Sequence, residues 1–324
     1  MTPDEGSRPP VSPPFRCGYV AIIGEPNVGK STLMNGLLQQ KISIVTRKPQ
    51  TTRHKILGIL TTPAYQAVFL DTPGIIQPRY ALHEAMMESA ASAVSDADLI
   101  LFMVDAAKHA TGGDSPEEAI LAQLAASARP VYLVLNKVDL VDKGLLLPLI
   151  EGYSRRHPFR EIFPVSALTL EGTDGLMVSV ASELPVHPPL YPADIVSENN
   201  ERFFVAEIIR EKIFIRCQEE VPYSTSVDIT EFIERGAAVA GETEAPKSRK
   251  PVKWFISADI YVERDSQKGI LIGKKGGMLK EIGENARRDI ERFLGHQVFL
   301  DLHVKVRPGW RGDKEWLQRL GYRR

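Results

Sequence analysis

The chain has 324 residues, 43% of them hydrophobic, and a formal net charge of −1 at pH 7. This length suggests two domains rather than one, with enough apolar content to bury a sizeable core. The two cysteines, Cys17 and Cys217, stand in no CxxC or Cys/His cluster, so neither a disulfide framework nor a zinc site is expected. No apolar run approaches the ~20 residues that cross a bilayer, and the start lacks the apolar segment of a signal peptide. We therefore expect a reduced, cytoplasmic protein, and a monomer.

The small net charge conceals a gradient along the chain. Residues 1–190 carry 16 Lys/Arg and 19 Asp/Glu, residues 191–246 carry 5 and 12, and residues 247–324 carry 19 and 10. A basic last quarter beside an acidic segment is expected when one region alone meets a polyanion. An ordinary solvated surface is the alternative that charge alone leaves open.

The first domain is predicted to span residues 17–184, after a proline-rich disordered tail at 1–16. Its apolar runs, "GYVAIIG", "QAVFLDT", "ADLILFMVD", "PVYLVLNK" and "EIFPVSA", are separated by helix-like segments such as 80–95 and 115–128. This alternation predicts an α/β fold whose mostly parallel sheet is covered by helices on both faces. Ligand residues then belong at the carboxyl ends of the strands.

A proline-rich linker at 185–197 is predicted to end that pattern. In the second domain, 198–324, the stretch "ENNERFFVAEIIREKIFIR" places apolar residues at helical intervals. The stretches "STSVDITEFIER", "VKWFISADIYVER" and "QVFLDLHVKVR" are predicted strands. Residues 236–250 are small, polar and charged, and predict a loop or a long hairpin tip. The second domain is therefore expected to be α+β.

The stretch "GEPNVGKST" fits the P-loop pattern, directly after a predicted strand and before a helix. In such a loop the backbone N–H groups surround phosphates, Lys30 reaches the terminal phosphates and the Ser31 hydroxyl binds Mg²⁺. A structural glycine turn is the alternative, but the strand and helix on either side favour nucleotide binding. The predicted nucleotide-binding residues here are Gly24, Glu25, Pro26, Asn27, Val28, Gly29, Lys30, Ser31 and Thr32.

Two later motifs identify the base as guanine. The carboxylate of Asp139, in "NKVD", can accept hydrogen bonds from N1–H and the exocyclic amine of guanine, a pair that adenine does not offer. The stretch "SAL", after the next strand, adds backbone and serine support. Either motif alone would favour a surface turn, but in this order after a P-loop they indicate GTP or GDP. The predicted base-site residues are Asn136, Lys137, Asp139, Ser166, Ala167 and Leu168.

The stretches "DTPG" and "QTTR" complete the predicted phosphate and metal site. Asp71 is expected to reach Mg²⁺ through water, and the Gly74 N–H can meet the γ-phosphate. Thr52 is the favoured threonine ligand of Mg²⁺ in the GTP state, with Thr51 as the alternative. The metal ligands are then Ser31, Thr52 and Asp71. Together these motifs resemble the translation-factor-like class of GTPases.

Ras-like enzymes carry a glutamine after this glycine to orient the attacking water, but here the residue is Ile75. An apolar side chain cannot perform that task. Asn27 resembles the loop asparagine that holds K⁺ in some GTPases, and we hypothesise that it helps bind a monovalent cation between the β- and γ-phosphates. The alternative is that Asn27 only braces the loop. The predicted catalytic residues are Lys30, Asn27, Thr52 and Gly74.

A second glycine-lysine loop lies in "GILIGKKGGMLKEI", where "GILI" is predicted to be an apolar turn before a helix at 278–294. It lacks the P-loop spacing and the Ser/Thr after lysine, so it is not a second nucleotide site. Its context fits a KH domain of the bacterial type II, in which such a loop lets a single-stranded RNA backbone approach a helix N-terminus. A solvated turn is the alternative. The predicted RNA-binding residues are Gly273, Lys274, Lys275 and Gly276.

From about residue 17 to 322 the chain resembles the Era family of bacterial ribosome-assembly GTPases. The resemblance runs through "GYVAIIGEPNVGKSTLMN", "KPQTTRHKILGI", "FLDTPGI", "LNKVD", "PVSAL", "PPLYPAD", "EIIREKIF", "GILIGKKGGMLKEIG", "LDLHVKV" and "WLQRLGY". It implies binding of the 3′ end of 16S ribosomal RNA through the KH domain, coupled to GTP binding, and assistance to 30S subunit maturation. For some members it also implies peripheral association with the inner face of the cell membrane.

Three other interpretations remain open at this point. The C-terminal module could dock on protein in another ribosomal or transfer-RNA process; the chain could be a switch that binds GTP but scarcely hydrolyses it; or it could be an ATPase. On the favoured interpretation, GTP and Mg²⁺ order the loop of Thr51 and Thr52 and the segment after Gly74, and this repositions the KH domain.

Overall fold

The computed structural model describes residues 14–110, 117–234 and 253–322. Most of the tail predicted at 1–16 lies outside these residues, and so does the loop or hairpin tip predicted at 236–250. Among the described residues, no helix has the length and hydrophobicity that crossing a membrane requires.

The first sheet has six strands in the order β2-β3-β1-β4-β5-β6. Strand β2 runs antiparallel to β3, and the other neighbours are parallel, which confirms the predicted mostly parallel sheet. The strands are β1 (Arg16–Gly24), β2 (Ile56–Thr61), β3 (Tyr65–Asp71), β4 (Leu99–Asp105), β5 (Val131–Asn136) and β6 (Glu161–Pro164).

Helices cover both faces of this sheet because alternate side chains of a buried strand point to opposite sides. In β1, Val20 and Ile22 join one apolar cluster with residues of α1 and α6. Ala21 and Ile23 join the opposite cluster with residues of α2, α4 and α5. The helices are α1 (Lys30–Leu38), α2 (Ala81–Asp96), α3 (Ala106–Ala110), α4 (Glu117–Ala126), α5 (Leu146–Arg156) and α6 (Thr173–Glu183).

The second sheet has three strands in the order β7-β8-β9. Strand β8 (Trp254–Val262) pairs antiparallel with β7 (Ser226–Ile233) and parallel with β9 (Val298–Val306). Helices α7 (Glu201–Arg216) and α9 (Gly277–Leu294) pack on one face around a third apolar cluster. Asn200 caps α7 by accepting a hydrogen bond from the Phe203 N–H at 2.9 Å. This α+β unit is the KH-like arrangement that the sequence predicts.

The prediction that "GILI" is a turn is wrong, because residues 269–272 form the end of helix α8 (Asp265–Ile272). The Gln267 side chain accepts hydrogen bonds from the N–H groups of Glu263 and Arg264, at 3.0 and 3.2 Å, and so satisfies donors at the helix start. Leu271 is buried in the third cluster. The helix begins four residues before the apolar run, in a polar stretch that gives no periodic signal.

The two sheets belong to halves of the chain that pack against each other. A fourth apolar cluster joins Leu82 and Met86 of α2 to Trp310 and Leu317, which follow β9, and includes the start of α10 (Lys314–Arg319). The segment that connects α1 to β2 also contacts α7 through hydrogen bonds and an ion pair. The C-terminal half therefore touches the edge of the first sheet where the predicted nucleotide motifs lie.

Candidate functional site

The P-loop connects β1 to α1 and has a backbone that wraps inward. Gly29 lies in the left-handed region (φ +105°), and a Cβ there would stand 2.3 Å from Nδ2 of Asn136, so no other residue fits without displacing that amide. Asn27 is also left-handed, at φ 66°. Helix α1 begins at Lys30 directly after the loop, so its free N–H groups face the same cleft.

Lys30 is buried at the centre of the loop. Its Nζ donates to the carbonyl oxygens of Gly24 and Glu25, at 3.1 and 2.8 Å. Burial lowers the pKa of Lys30 to about 8, although the nearby carboxylates of Asp71 and Glu25 oppose this shift. A terminal phosphate in the cleft would supply the opposite charge that this buried ammonium lacks.

Three oxygen-bearing side chains from separate segments meet beside the loop. The Ser31 hydroxyl donates to Oδ2 of Asp71 at 2.6 Å and lies 2.9 Å from the Thr52 hydroxyl. Asp71 is fully buried, its Oδ1 has no hydrogen-bond partner among the described residues, and burial raises its pKa. An orphaned carboxylate oxygen beside two hydroxyls is a donor set that suits Mg²⁺ and its bound waters.

The geometry also distinguishes the two candidate threonines. The Thr51 hydroxyl donates to the Lys48 carbonyl oxygen at 2.7 Å and lies 2.6 Å from the Thr46 hydroxyl. Thr51 therefore braces its own loop, whereas Thr52 lies next to Ser31. Of the two alternatives that the sequence left open, Thr52 is the one whose hydroxyl lies beside Ser31.

Gly74 lies against the P-loop, where a Cβ would approach within 2.7 Å of the backbone nitrogen of Pro26. The Ile75 N–H donates to the Gly24 carbonyl at 3.1 Å, and its side chain packs against the cluster on one face of the sheet. Asn27 donates from Nδ2 to the Arg47 carbonyl at 3.0 Å. This hydrogen bond joins the P-loop to the segment between α1 and β2.

Asn136 joins three predicted motifs. Its Nδ2 donates to the Val28 carbonyl at 2.7 Å, and its Oδ1 accepts from the Ala167 N–H at 2.8 Å. Lys137 is left-handed (φ 67°) and its Nζ pairs with Asp105. The P-loop, "NKVD" and "SAL" stretches are therefore held together at the carboxyl ends of β1, β5 and β6.

These segments enclose a cleft of about 470 Å³. Most predicted nucleotide residues line it, among them Thr32, Thr51, Thr52, Asp139 and Leu168. Five predicted residues are not among those that line it, namely Gly24, Glu25, Val28, Asp71 and Ser166. The sequence analysis missed Ile44, Val45, Thr46, Arg47, Gln50 and Leu140, which also line the cleft; residues 44–47 carry no motif that could have indicated them.

The second glycine-lysine loop connects α8 to α9. Gly273 (φ +72°) has no room for a Cβ, which would lie 2.6 Å from Cβ of Met278. Lys274 and Lys275 are exposed, and Gly276 precedes the first turn of α9. The loop thus presents two ammonium groups beside a helix N-terminus, a position that favours phosphate.

A groove of about 490 Å³ runs from this loop between α9 and the edge strand β9. Leu279, Leu300 and Leu302 form an apolar floor, with Lys280 and Arg287 on α9 beside it and the exposed Phe299 on β9. Aromatic and basic side chains around an apolar groove suit stacked, unpaired bases and their phosphates. The sequence analysis named only the loop residues and missed this groove, because the two elements that form it are not adjacent in sequence.

Fold and site together define a P-loop GTPase domain joined to a KH domain. Residues 19–137 match the family described as 50S ribosome-binding GTPase, and residues 220–311 match the KH domain family. The chain is 50% identical to GTPase Era of Geobacter metallireducens, over 95% of this chain and 98% of that protein. GTPase Era of Lacticaseibacillus paracasei is 48% identical, over 94% and 96%. The chain therefore belongs to the Era family of GTPases.

Solved structures agree over nearly the whole chain. A crystal structure of Era in complex with MgGDPNP and nucleotides 1506–1542 of 16S ribosomal RNA has a TM-score of 0.86 and 40% identity, and covers 96% of this chain and 100% of that one. A structure of an Aquifex aeolicus Era variant bound to GDP·AlF4⁻ has the same values.

Proposed function

We propose that this chain is a Mg²⁺-dependent GTPase that binds the 3′ end of 16S ribosomal RNA through its KH domain and assists assembly of the 30S subunit. The observation that carries the proposal is the meeting of Ser31, Thr52 and the unpaired Oδ1 of Asp71 beside a P-loop, in a chain that also carries the α9–β9 groove. The RNA complex of the 40%-identical Era supports the choice of RNA. We place the protein in the cytoplasm and, from the resemblance to the Era family, propose peripheral association with the inner face of the cell membrane.

We assign each half of the chain a separate ligand. The GTPase domain, 17–184, is linked by 185–197 to the KH domain, 198–324; in support, α6 ends at Glu183 and α7 begins at Glu201. Strand β1 begins at Arg16, one residue before the proposed boundary.

In the GTPase domain, Lys30 and the N–H groups at the start of α1 hold the phosphates, and Asp139 binds the guanine edge. Ser31, Thr52 and Asp71 would hold Mg²⁺, and the bound ion would supply positive charge to offset that of the nucleotide phosphates. The Gly74 N–H contacts the γ-phosphate at a place where any side chain would strike Pro26.

The attacking water needs a device other than residue 75, because the Ile75 side chain packs into the apolar cluster. We propose that Asn27 holds K⁺ near the β- and γ-phosphates after releasing the Arg47 carbonyl. Turnover should then be faster in K⁺ than in Na⁺ at equal ionic strength. Equal turnover in the two salts would contradict K⁺ binding, and the only role of Asn27 would then be to brace the loop.

In the KH domain, Lys274 and Lys275 bind RNA phosphates and the α9–β9 groove accepts unpaired bases. The test is binding of a single-stranded RNA that copies the 3′ end of 16S ribosomal RNA. We expect a Lys274→Ala/Lys275→Ala variant to bind at least about tenfold more weakly, and the slope of log K against log salt to fall by about 1.4.

The matched control is Arg129→Ala/Arg155→Ala, which removes two exposed positive charges from the GTPase domain and should bind as the wild type does. Equal binding by all three proteins would contradict the RNA role of the loop. A protein-docking role for the C-terminal module would then be favoured.

A further inference from the structure

The KH half of the chain holds the segment that carries Thr52. Residues 45–53 lie between α1 and β2, and the Val45 N–H donates to Oε1 of Glu211 on α7 at 3.2 Å. The Lys48 ammonium donates to the carbonyl of Cys217, just after α7. Arg53 is 2% exposed and donates to the carbonyls of Pro222, Tyr223 and Thr225. This segment of the GTPase half is therefore attached to the KH half at several successive positions.

Arg210 contacts the residue that directly precedes Thr52. It lies on α7, is 1% exposed, and donates from Nη2 to the Thr51 carbonyl oxygen at 2.6 Å. The Glu207 carboxylate, one turn earlier on α7, accepts from Nε of Arg210 at 2.7 Å and from Nη2. The planar guanidinium is thus fixed on one side by Glu207 and aimed across the interface.

The Thr51 carbonyl is one peptide bond from Thr52. Because the peptide unit is planar, holding the carbonyl oxygen of Thr51 fixes the direction in which the Thr52 backbone leaves it. The Thr52 hydroxyl then lies 2.9 Å from Ser31. Among the described residues, Arg210 is not one of those that line the nucleotide cleft, and it makes no hydrogen bond to the three oxygen ligands, yet it holds the backbone that presents one of them.

We propose that Arg210 is a positioning residue for the GTP state: it holds the Thr51 carbonyl so that the Thr52 hydroxyl faces the metal and the γ-phosphate. The inference rests on the proposed GTPase function. On this proposal the KH domain contributes a positioning residue, Arg210, to the hydrolytic site across the domain interface.

The proposal predicts an effect that depends on the nucleotide. In GTPases of this kind the threonine loop is ordered by contacts to Mg²⁺ and the γ-phosphate, and it is released with GDP. Loss of the Arg210 contact should therefore weaken GTP binding and hydrolysis while GDP binding is retained. A residue that only stabilises the fold would lower both affinities together.

The test is the affinity of Arg210→Gln for GDP and for a non-hydrolysable GTP analogue, each with Mg²⁺, together with kcat. We expect about a tenfold weaker affinity for the analogue, GDP affinity unchanged within about twofold, and a lower kcat. Arg210→Lys keeps the charge near the Phe214 ring but loses the planar guanidinium. Its affinity for the analogue should lie between those of wild type and Arg210→Gln. The control is Arg216→Gln on the same helix, whose side chain is 42% exposed and pairs with Glu281.

An unchanged ratio of analogue to GDP affinity in both Arg210 variants would overturn the proposal. If Arg210→Gln does not fold, as judged by thermal unfolding, the Lys variant carries the comparison. Absence of GTP hydrolysis in the wild type would instead contradict the proposed function, so the two failures are distinguishable.

Discussion

Asp139 is the residue on which the choice of base depends. It lines the same cleft as Leu140 and Leu168, and as Lys30 and Ser31 of the P-loop. A carboxylate there can accept two hydrogen bonds from guanine, and without that donor pair it would remain unpaired. The phosphate site alone would serve adenine and guanine nucleotides equally.

We expect Asp139→Asn to lose at least about 100-fold in GTP affinity and to prefer xanthosine triphosphate, because the amide donates where the carboxylate accepted. Competition binding with GTP, ATP and xanthosine triphosphate measures this directly. Asp142→Asn changes the same charge in the same loop, and its side chain still caps the Gly144 N–H, so guanine preference should persist. If Asp139→Asn still preferred guanine nucleotides, a residue other than Asp139 would select the base.

His54 lies at the interface between the two halves, and its protonation makes the stability of the protein depend on pH. It stacks on Tyr322 with ring centroids 4.3 Å apart. Burial lowers the pKa of His54 to about 4, with contributions from the positive charges of Arg210 and Arg53, while Glu207 opposes the shift. Between pH 6.5 and 4 the unfolded chain therefore binds a proton that the folded chain does not. Stability is then lost as the pH falls through this range.

We expect wild type to lose about 2 kcal/mol more free energy of unfolding between pH 7 and pH 5 than His54→Phe, which keeps the stacking and removes the titration. Urea unfolding without nucleotide measures this difference. Burial lowers the pKa of His83 to about 4 as well, so both proteins lose stability and only the difference belongs to His54. Equal losses in wild type and His54→Phe would contradict the assignment.

At the scale of elements, the nucleotide cleft is a set of loops at the carboxyl ends of β1, β3, β5 and β6, and Asn136 joins three of them. Its amide makes two buried hydrogen bonds, to the Val28 carbonyl and from the Ala167 N–H. These two hydrogen bonds connect the P-loop to the base-binding loops through the Asn136 side chain.

Asn136→Ala should lower the free energy of unfolding by about 2–4 kcal/mol, because it leaves a buried carbonyl and a buried N–H without partners. It should also weaken GTP and GDP binding together, unlike the Arg210 variants. Urea unfolding and nucleotide titration measure the two effects. Asn285→Ala, which removes one amide contact to the Glu281 carbonyl on the exposed side of α9, is the control. Wild-type stability in Asn136→Ala would refute the bridging role.

Local sequence patterns predicted the elements that carry these loops, because the strands are apolar runs and the motifs follow them directly. These local patterns did not predict features that depend on contacts between residues far apart in sequence. Arg210 falls within the predicted helix 198–216, but a charged residue on an amphipathic helix is ordinarily solvent-exposed. Its partner Thr51 is 159 positions away in sequence. The α9–β9 groove was missed for the same reason, whereas the helical state of "GILI" was missed because α8 begins in a polar stretch that gives no periodic signal.

At the scale of the whole molecule, the segment 45–53 and helix α7 connect the two ligand sites. The segment 45–53 lines the GTP cleft on one side and is held by α7 and the residues after it on the other. Helix α7 packs against α9, which carries the loop of Lys274 and Lys275. GTP binding should therefore change the state of the element that also supports the RNA groove, and the two affinities must then be coupled reciprocally.

The measurement that tests this account most directly is the affinity for single-stranded RNA from the 3′ end of 16S ribosomal RNA, with GDP and then with a non-hydrolysable GTP analogue. We predict at least about fivefold tighter binding in the analogue state, the same factor for the analogue when RNA is present, and loss of the difference in Arg210→Gln. Equal RNA affinity in the two nucleotide states would contradict the coupling and leave two independent sites on one chain.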